Sequence, residues 1–272
     1  MSGYLNKINS LIGAEEVKKE ILKWQSLSML NLPKQKKIIP NYLLSIDNGC
    51  GFSTIAQLMA EALKELKLFN FASATAFLEL KFEDNAQLLF EEIRSEAIIS
   101  NEFWGVVAID ISTWVEDYHS EQFEEFLQYV RLNNNNIVFI FRIPNISDHM
   151  ARKLLGALKV AGNIRHLIVP AVKDSELIGF IRRILDTESI SVENDAYELL
   201  NVMIVELKER NDFEGYKTVL QLIADIIYEI GTDSNFEFLN TKRIIYDSLQ
   251  KYYKEIFKNK LISTTKITKL GF

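Results

Sequence analysis

Tyr42-Leu-Leu-Ser-Ile-Asp47, Asn48-Gly-Cys-Gly51 and Phe52-Ser-Thr-Ile-Ala-Gln-Leu-Met-Ala-Glu-Ala-Leu63 follow one another without a gap, and together they decide the fold. A short apolar run, a glycine-bearing turn and a segment of helical pattern predict strand, loop and helix in that order. The same alternation recurs downstream. Leu78 to Phe82 reads as a second strand and Ala86 to Ile99 as a helix. Trp104-Gly-Val-Val-Ala-Ile-Asp110 is an unbroken apolar run ending in an acid, as in a strand buried on both faces of a parallel sheet. Ser120 to Leu132 reads as a helix with Phe123, Phe126, Leu127 and Val130 on one face, Asn133 to Asn136 as a loop, and Ile137 to Arg142 as a further buried strand. Asp148 to Val160 is then a helix and His166 to Val169 the last strand. Strands alternating with helices over 42–170 predict an α/β domain built on a parallel sheet flanked by helices.

After Asp174 the pattern changes. Residues 174–186, 192–209, 213–230 and 236–258 show helical period with no strand between them, which predicts a small all-helical unit. Upstream, Leu11, Ile12, Val17, Ile21, Leu22 and Trp24 predict one amphipathic helix, and the basic stretch from Leu30 to Pro40, with Lys34, Lys36 and Lys37, reads as a solvated linker. The expected division is an N-terminal helix and linker over 1–40, an α/β core over 41–172, a helical lid over 173–231 and a C-terminal helical extension over 232–272. In that extension Tyr246, Tyr252, Tyr253, Ile256 and Phe257 are read as intramolecular packing.

Composition narrows the function. The chain has 272 residues, 48% hydrophobic and 25% charged, the balance of a globular protein with a large core. Its 31 basic and 37 acidic residues leave a net charge of −6, so no global basic field draws it to nucleic acid or anionic lipid. The single cysteine, Cys50, excludes an intramolecular disulfide and a thiolate zinc site and suits a reducing compartment. The start carries no apolar stretch of signal-peptide type, and no run approaches the roughly 18 apolar residues of a membrane span. The cytoplasm is the expected location, with no membrane partner. His119, His149 and His166 share no ligand-like spacing and are read as structural or exposed.

The loop after the first strand invites comparison with a phosphate-binding loop, G-x-x-x-x-G-K-[ST], in which backbone N–H groups wrap phosphates, lysine neutralises the terminal one and the hydroxyl binds magnesium. In the window from Ile46 to Ser53 the second glycine, Gly51, and the serine are present, while Ile46 stands at the first glycine and Phe52 at the lysine. Asn48, Gly49, Gly51, Ser53 and Thr54 therefore fit two uses, a residual phosphate nest or a tight turn in which Ser53 or Thr54 caps the helix; the turn is preferred. The strand ending at Asp110 matches the acid that orients hydrated magnesium, but Ile111 follows where a water-polarising glutamate is needed. Asp110 is either that magnesium acid or a loop cap, with the cap preferred.

Order and spacing resemble an AAA+ ATPase. Three stretches resemble the clade holding the red-type Rubisco activase, sporulation stage V protein K and type VII secretion ATPases: Leu11-Ile-Gly-Ala-Glu-Glu-Val-Lys-Lys-Glu-Ile21 before the core; Arg165-His-Leu-Ile-Val-Pro170 with Glu176 to Leu185; and Phe213-Glu-Gly-Tyr-Lys-Thr-Val219. The resemblance covers about residues 8–231 and implies a P-loop NTPase-like core with a helical lid. It sets Phe52 at the family's lysine, Ile111 at its catalytic glutamate, Arg142 near its polar sensor, Gly162 near its arginine finger and Lys217 at its lid arginine. Lys217 would reach a nucleotide phosphate on that alignment, although a solvated lysine is preferred. No catalytic residue survives. The expectation is a catalytically inactive structural or regulatory subunit that assembles with itself or an active AAA+ ATPase, without a resident cofactor. Two alternatives stay open: a protein binding ATP or ADP with magnesium and hydrolysing it slowly, and a DNA-replication loader subunit, which the acidic charge disfavours because nucleic acid is not an expected partner.

Overall fold

Gly105–Asp110 (β3) and Ile137–Ile143 (β4) are the most apolar strands of the chain and sit at the centre of its sheet, where both faces are covered. The computed structural model describes residues 3–30, 39–68, 77–81, 91, 105–232 and 242–259. Apart from Glu91, the helix expected over 86–99 lies outside them, as do the linker lysines 34, 36 and 37 and the strand-end residues Phe82 and Trp104.

Contacts divide the chain into two units, Met1–Ala171 and Val172–Phe272. The first holds a five-stranded sheet in the order β2-β3-β4-β1-β5, with β1 at Asn41–Ser45, β2 at Phe77–Lys81 and β5 at Ile164–Ile168; every pairing is parallel. Parallel strands need crossovers, and among the described residues helices lie between β1 and β2, β3 and β4, and β4 and β5. On one face Leu43, Val107, Ile109, Phe139 and Phe141 pack against Phe123, Phe126 and Val130 of α4 (Glu121–Asn133) and Leu154 and Leu158 of α5 (Asp148–Leu158). Phe126 meets Phe141 edge-on at 5.7 Å, a preferred aromatic geometry. Ser120 and Ser147 cap α4 and α5, each hydroxyl accepting a backbone N–H three residues on.

The N-terminal region is α1 (Gly3–Ser10) and α2 (Glu15–Ser28), while α3 (Phe52–Glu65) follows β1. The single helix expected across Leu11 to Trp24 is thus interrupted. Gly13 and Ala14 take positive φ of 70° and 54°, outside the right-handed helical region, so Leu11 and Ile12 belong to a connection. From α2, Trp24 Nε1 donates to the Tyr42 hydroxyl at 2.9 Å, and that hydroxyl donates to Glu20. Glu20 is 2% exposed and is answered by Arg165 at 2.6 Å. Burial is the main cause that raises the Tyr42 pKa, with Glu20 next. Glu16 accepts the Ile168 N–H on β5, so α2 satisfies part of a sheet edge. Buried Asn41 closes the other end of β1, its amide donating to Asn134 and its oxygen accepting the Phe139 N–H.

The second unit packs α6 (Asp174–Thr187), α7 (Asn194–Lys208), α8 (Gly215–Thr232) and α9 (Tyr246–Tyr252), the last continuing into a π-turn over Tyr253–Phe257. Helical period does not disclose one addition, a parallel pairing of β6 (Ser191–Val192) with β7 (Arg243–Ile244). Tyr252 and Phe257 are buried, as the packing reading of the late helix requires, and Tyr253 and Lys258 both donate to Glu206. Among the described residues no helix is long and apolar enough to cross a membrane.

Core truncation and surface truncation on α4 should separate cleanly. Phe126→Ala removes a wholly buried ring and is expected to lower stability by about 3–5 kcal/mol. Leu132→Ala, on a side chain 74% exposed, should stay within about 0.5 kcal/mol. Urea unfolding of both variants checks this; equal midpoints would contradict the assignment of the sheet face.

Candidate functional site

In a parallel sheet all carboxyl ends lie at one edge, and a crevice opens there where neighbouring strands run their connections in opposite directions. β1 lies between β4 and β5, so that point is at its own carboxyl end, where the Ile46–Gly51 loop leads into α3. Register then sets the company: Arg142 on β4 is opposite Leu44 of β1 on one side and Asp110 of β3 on the other.

The loop is a tight turn. The Cys50 N–H reaches the Asp47 carbonyl at 3.3 Å, and Gly49 (φ 69°) and Gly51 (φ 92°) take positive φ that a side chain would strain. Gly51 itself is the N-cap of α3, with no side-chain cap bond, so neither Ser53 nor Thr54 caps the helix. Ser53 instead donates to Glu79 Oε1 on β2 at 2.6 Å, while Thr54 and Asn48 are exposed. Asp47 accepts both the N–H and the side-chain amide of Asn145, and that amide also donates to the Val169 carbonyl.

Asp110 is held from several sides. Its Oδ1 accepts from the N–H and hydroxyl of Ser112, closing the turn after β3, and its Oδ2 pairs with Arg142 Nη1 at 2.5 Å. Arg142 is 5% exposed; Nη1 also donates to Ser112 Oγ at 3.1 Å, and Nε donates to the Ile46 carbonyl at 3.1 Å. Sequence reasoning placed Arg142 only near a sensor position. Its signal was visible, a lone basic residue inside the apolar run 137–143, which demands a buried acid.

Magnesium asks for oxygen ligands at about 2.0–2.1 Å in octahedral array. The one strand-end carboxylate proposed for it already carries a guanidinium, itself a cation, and the loop hydroxyl proposed beside it is given to another carboxylate. The donor set as it stands does not fit a divalent ion. Among the described residues no group of three or more His, Cys, Asp or Glu is placed for a metal either. Phe52 is 9% exposed, and Ile111 is fully buried within the cluster of Trp114 and Phe123. A Cβ on Gly162 would come within 2.7 Å of Asn134 Nδ2, so any side chain there must displace an amide that holds Asn41. Lys217 belongs to the second unit, where it is exposed and pairs with Glu214.

Two neighbours complete the environment. Burial, reinforced by Asp47 and opposed by Arg142, pushes the Cys50 thiol up to about 11. His166 Nε2 lies 2.8 Å from the hydroxyl of buried Ser45, and burial lowers its pKa against the opposite pull of Glu16 and Asp148.

No model of a known protein family matches this chain, and no curated protein matches it in sequence. Solved structures do match. Thermotoga maritima RuvB, described as a Holliday junction branch migration motor, aligns with a TM-score of 0.55 at 18% identity, over 89% of this chain and 69% of its own. Two single-substitution mutants of the same protein align at 0.55, one at 18% identity over 91% and 71%, the other at 17% over 89% and 69%. At such identity the likeness shows the fold alone, a P-loop NTPase-like parallel sheet flanked by helices.

Both perturbed groups give solution tests. At pH 8 the Cys50 thiolate fraction is expected to be about a hundredth of that of an unperturbed thiol, so a chromogenic disulfide reagent should react far more slowly with the native than with the denatured chain. Native and denatured rates that coincide would contradict the burial. The fold lowers the His166 pKa, so as pH falls the unfolded chain takes up the proton first; the contribution of His166 to stability should be level above about pH 6.5 and fall below it until pH passes the folded value. The difference in unfolding midpoint between the wild type and His166→Gln should therefore change between pH 7.5 and pH 5.5.

Proposed function

We propose that this chain is a catalytically silent AAA+-like protein, a structural or regulatory subunit that assembles with copies of itself or with an active AAA+ ATPase. One observation carries the reading. The positions that the resemblance aligns with the phosphate lysine and the water-polarising glutamate hold Phe52 and Ile111; both are buried, and Ile111 lies in an apolar cluster. Without the lysine, charge on a terminal phosphate goes unanswered; without the glutamate, the attacking water is not polarised. Such losses multiply, and a single transition-state cation is by itself a matter of about 10³–10⁵ in rate. Repair by substitution is also costly, because a carboxylate at position 111 would have to be buried without a partner.

On this reading Asn48, Gly49, Gly51, Ser53, Thr54 and Asp110 are remnants of a nucleotide site, and Lys217 is the remnant of its lid contact. The chain divides into a core over 41–172, a lid over 173–231 and a helical extension beyond, and it works in the cytoplasm. AAA+ rings hold nucleotide between neighbouring subunits, so a silent member still completes an interface. That step is an argument from fold.

Calorimetric titration with ATP and with ADP, each with magnesium, is expected to give no micromolar binding, and phosphate release should stay at background. Micromolar binding abolished by Asp110→Ala would replace this reading with that of a nucleotide-binding protein, and salt-sensitive DNA binding at physiological ionic strength would replace it with that of a loader subunit. The subunit role is tested by sedimentation of the purified chain and by mass spectrometry of AAA+ ATPases captured with it. A chain that stays monomeric at every concentration and retains no such ATPase is not a subunit of this kind.

A further inference from the structure

A ligand-binding site of this type is normally completed by what enters it: a hydrated cation, shared by the acid at the end of β3 and the hydroxyl at the start of α3. Here both places are filled from within. Arg142 stands against Asp110 and Ser112 and, through Nε, holds the carbonyl of Ile46 at the head of the loop. Glu79 takes the Ser53 hydroxyl, and Asn145 takes both oxygens of Asp47. The β1–α3 loop is thus tied to β4 through Ile46, to the segment after β4 through Asp47, and to β2 through Ser53.

We propose that this is a self-liganded site, in which the guanidinium of Arg142 is a built-in cation that holds the loop closed without a ligand and competes with any divalent ion for Asp110. The inference rests on the silent-subunit reading and says how the silent site is kept in order. Arginine suits the task. Its charge is permanent, since the group does not lose its proton in proteins, and its fork serves several acceptors at once. Its place on a central strand matters equally. Paired on both sides, β4 is held by its neighbours, and the guanidinium it carries is 5% exposed, so leaving its acceptors means giving up a buried charge pair. The exposed Ser53–Glu79 bond, by contrast, can open without disturbing the sheet, so Arg142 is the positioning residue and Glu79 an accessory. A divalent ion approaching Asp110 meets a like charge already 2.5 Å from the oxygen it needs.

The test compares the wild type with Arg142→Ala, reading amide hydrogen exchange over 46–53 and Mn²⁺ binding by electron paramagnetic resonance. In the variant, amides 46–53 should exchange at least about tenfold faster than in the wild type, while the α4 and α5 amides keep most of their protection. Millimolar methylguanidinium should restore that protection. The variant should bind Mn²⁺ saturably, the binding should vanish in Arg142→Ala/Asp110→Asn, and the wild type should show none. Loop exchange unchanged in Arg142→Ala, or a loss that methylguanidinium leaves uncorrected, overturns the proposal. Should Arg142→Ala fail to fold, Arg142→Lys, which keeps the charge but not the fork, is expected to show intermediate protection of 46–53, and wild-type protection there counts against the fork. The two readings fail separately: magnesium nucleotide bound by the wild type defeats the silent subunit, whereas an indifferent loop in the arginine variants defeats only the self-liganded site.

Discussion

The guanidinium of Arg142 is a permanent charge set near the carboxyl end of a strand that is covered on both faces, and much of the surrounding geometry answers to it. A buried charge is tolerated only when its acceptors are close and fixed. Those acceptors are a carboxylate from β3, a hydroxyl from the turn after β3 and a carbonyl from the loop after β1. Two segments distant in sequence, the end of β3 and the loop after β1, are therefore drawn to β4 at one point. The sheet supplies the rigidity: with β3 and β1 hydrogen-bonded on either side of β4, the charge and its partners are held in register by backbone pairing.

The same edge separates what a fold supplies from what its side chains supply. In a P-loop NTPase-like arrangement the ends of β1, β3 and β4 converge whatever residues they carry, because parallel pairing alone brings them together. Chemistry depends on what those positions present. At the edge of this sheet the residues presented include the buried Phe52 and Ile111 and the ion pair of Asp110 with Arg142. Fold likeness to a motor protein therefore says where to look, while the side chains say what can happen there.

Much of the architecture was legible in the chain. Continuous apolar runs at 104–110 and 137–142 predicted buried strands, and the helix read over 120–132 lies at 121–133, with Ser120 as the cap that the period alone did not disclose. Two things escaped. The break at Leu11 to Ala14 interrupts a segment whose apolar spacing is nearly continuous, and only the positive φ of Gly13 and Ala14 reveals it. The β6–β7 pairing joins two-residue segments about fifty positions apart, too short to leave a period.

Local pattern by itself determined where most strands and helices lie, that the sheet is parallel, and that a glycine turn leads into α3. Those are matters of side-chain size and period, which act between near neighbours. Only the tertiary structure decided how the surviving polar residues are used. Asp110 and Ser53 read in sequence as a candidate ion ligand and a candidate cap, and the fold brings Arg142 from 32 residues away to the first and Glu79 from 26 away to the second. The reason is electrostatic: a carboxylate or a hydroxyl takes the nearest suitable partner, and which partner is nearest is set by strand order and register, which no local stretch encodes.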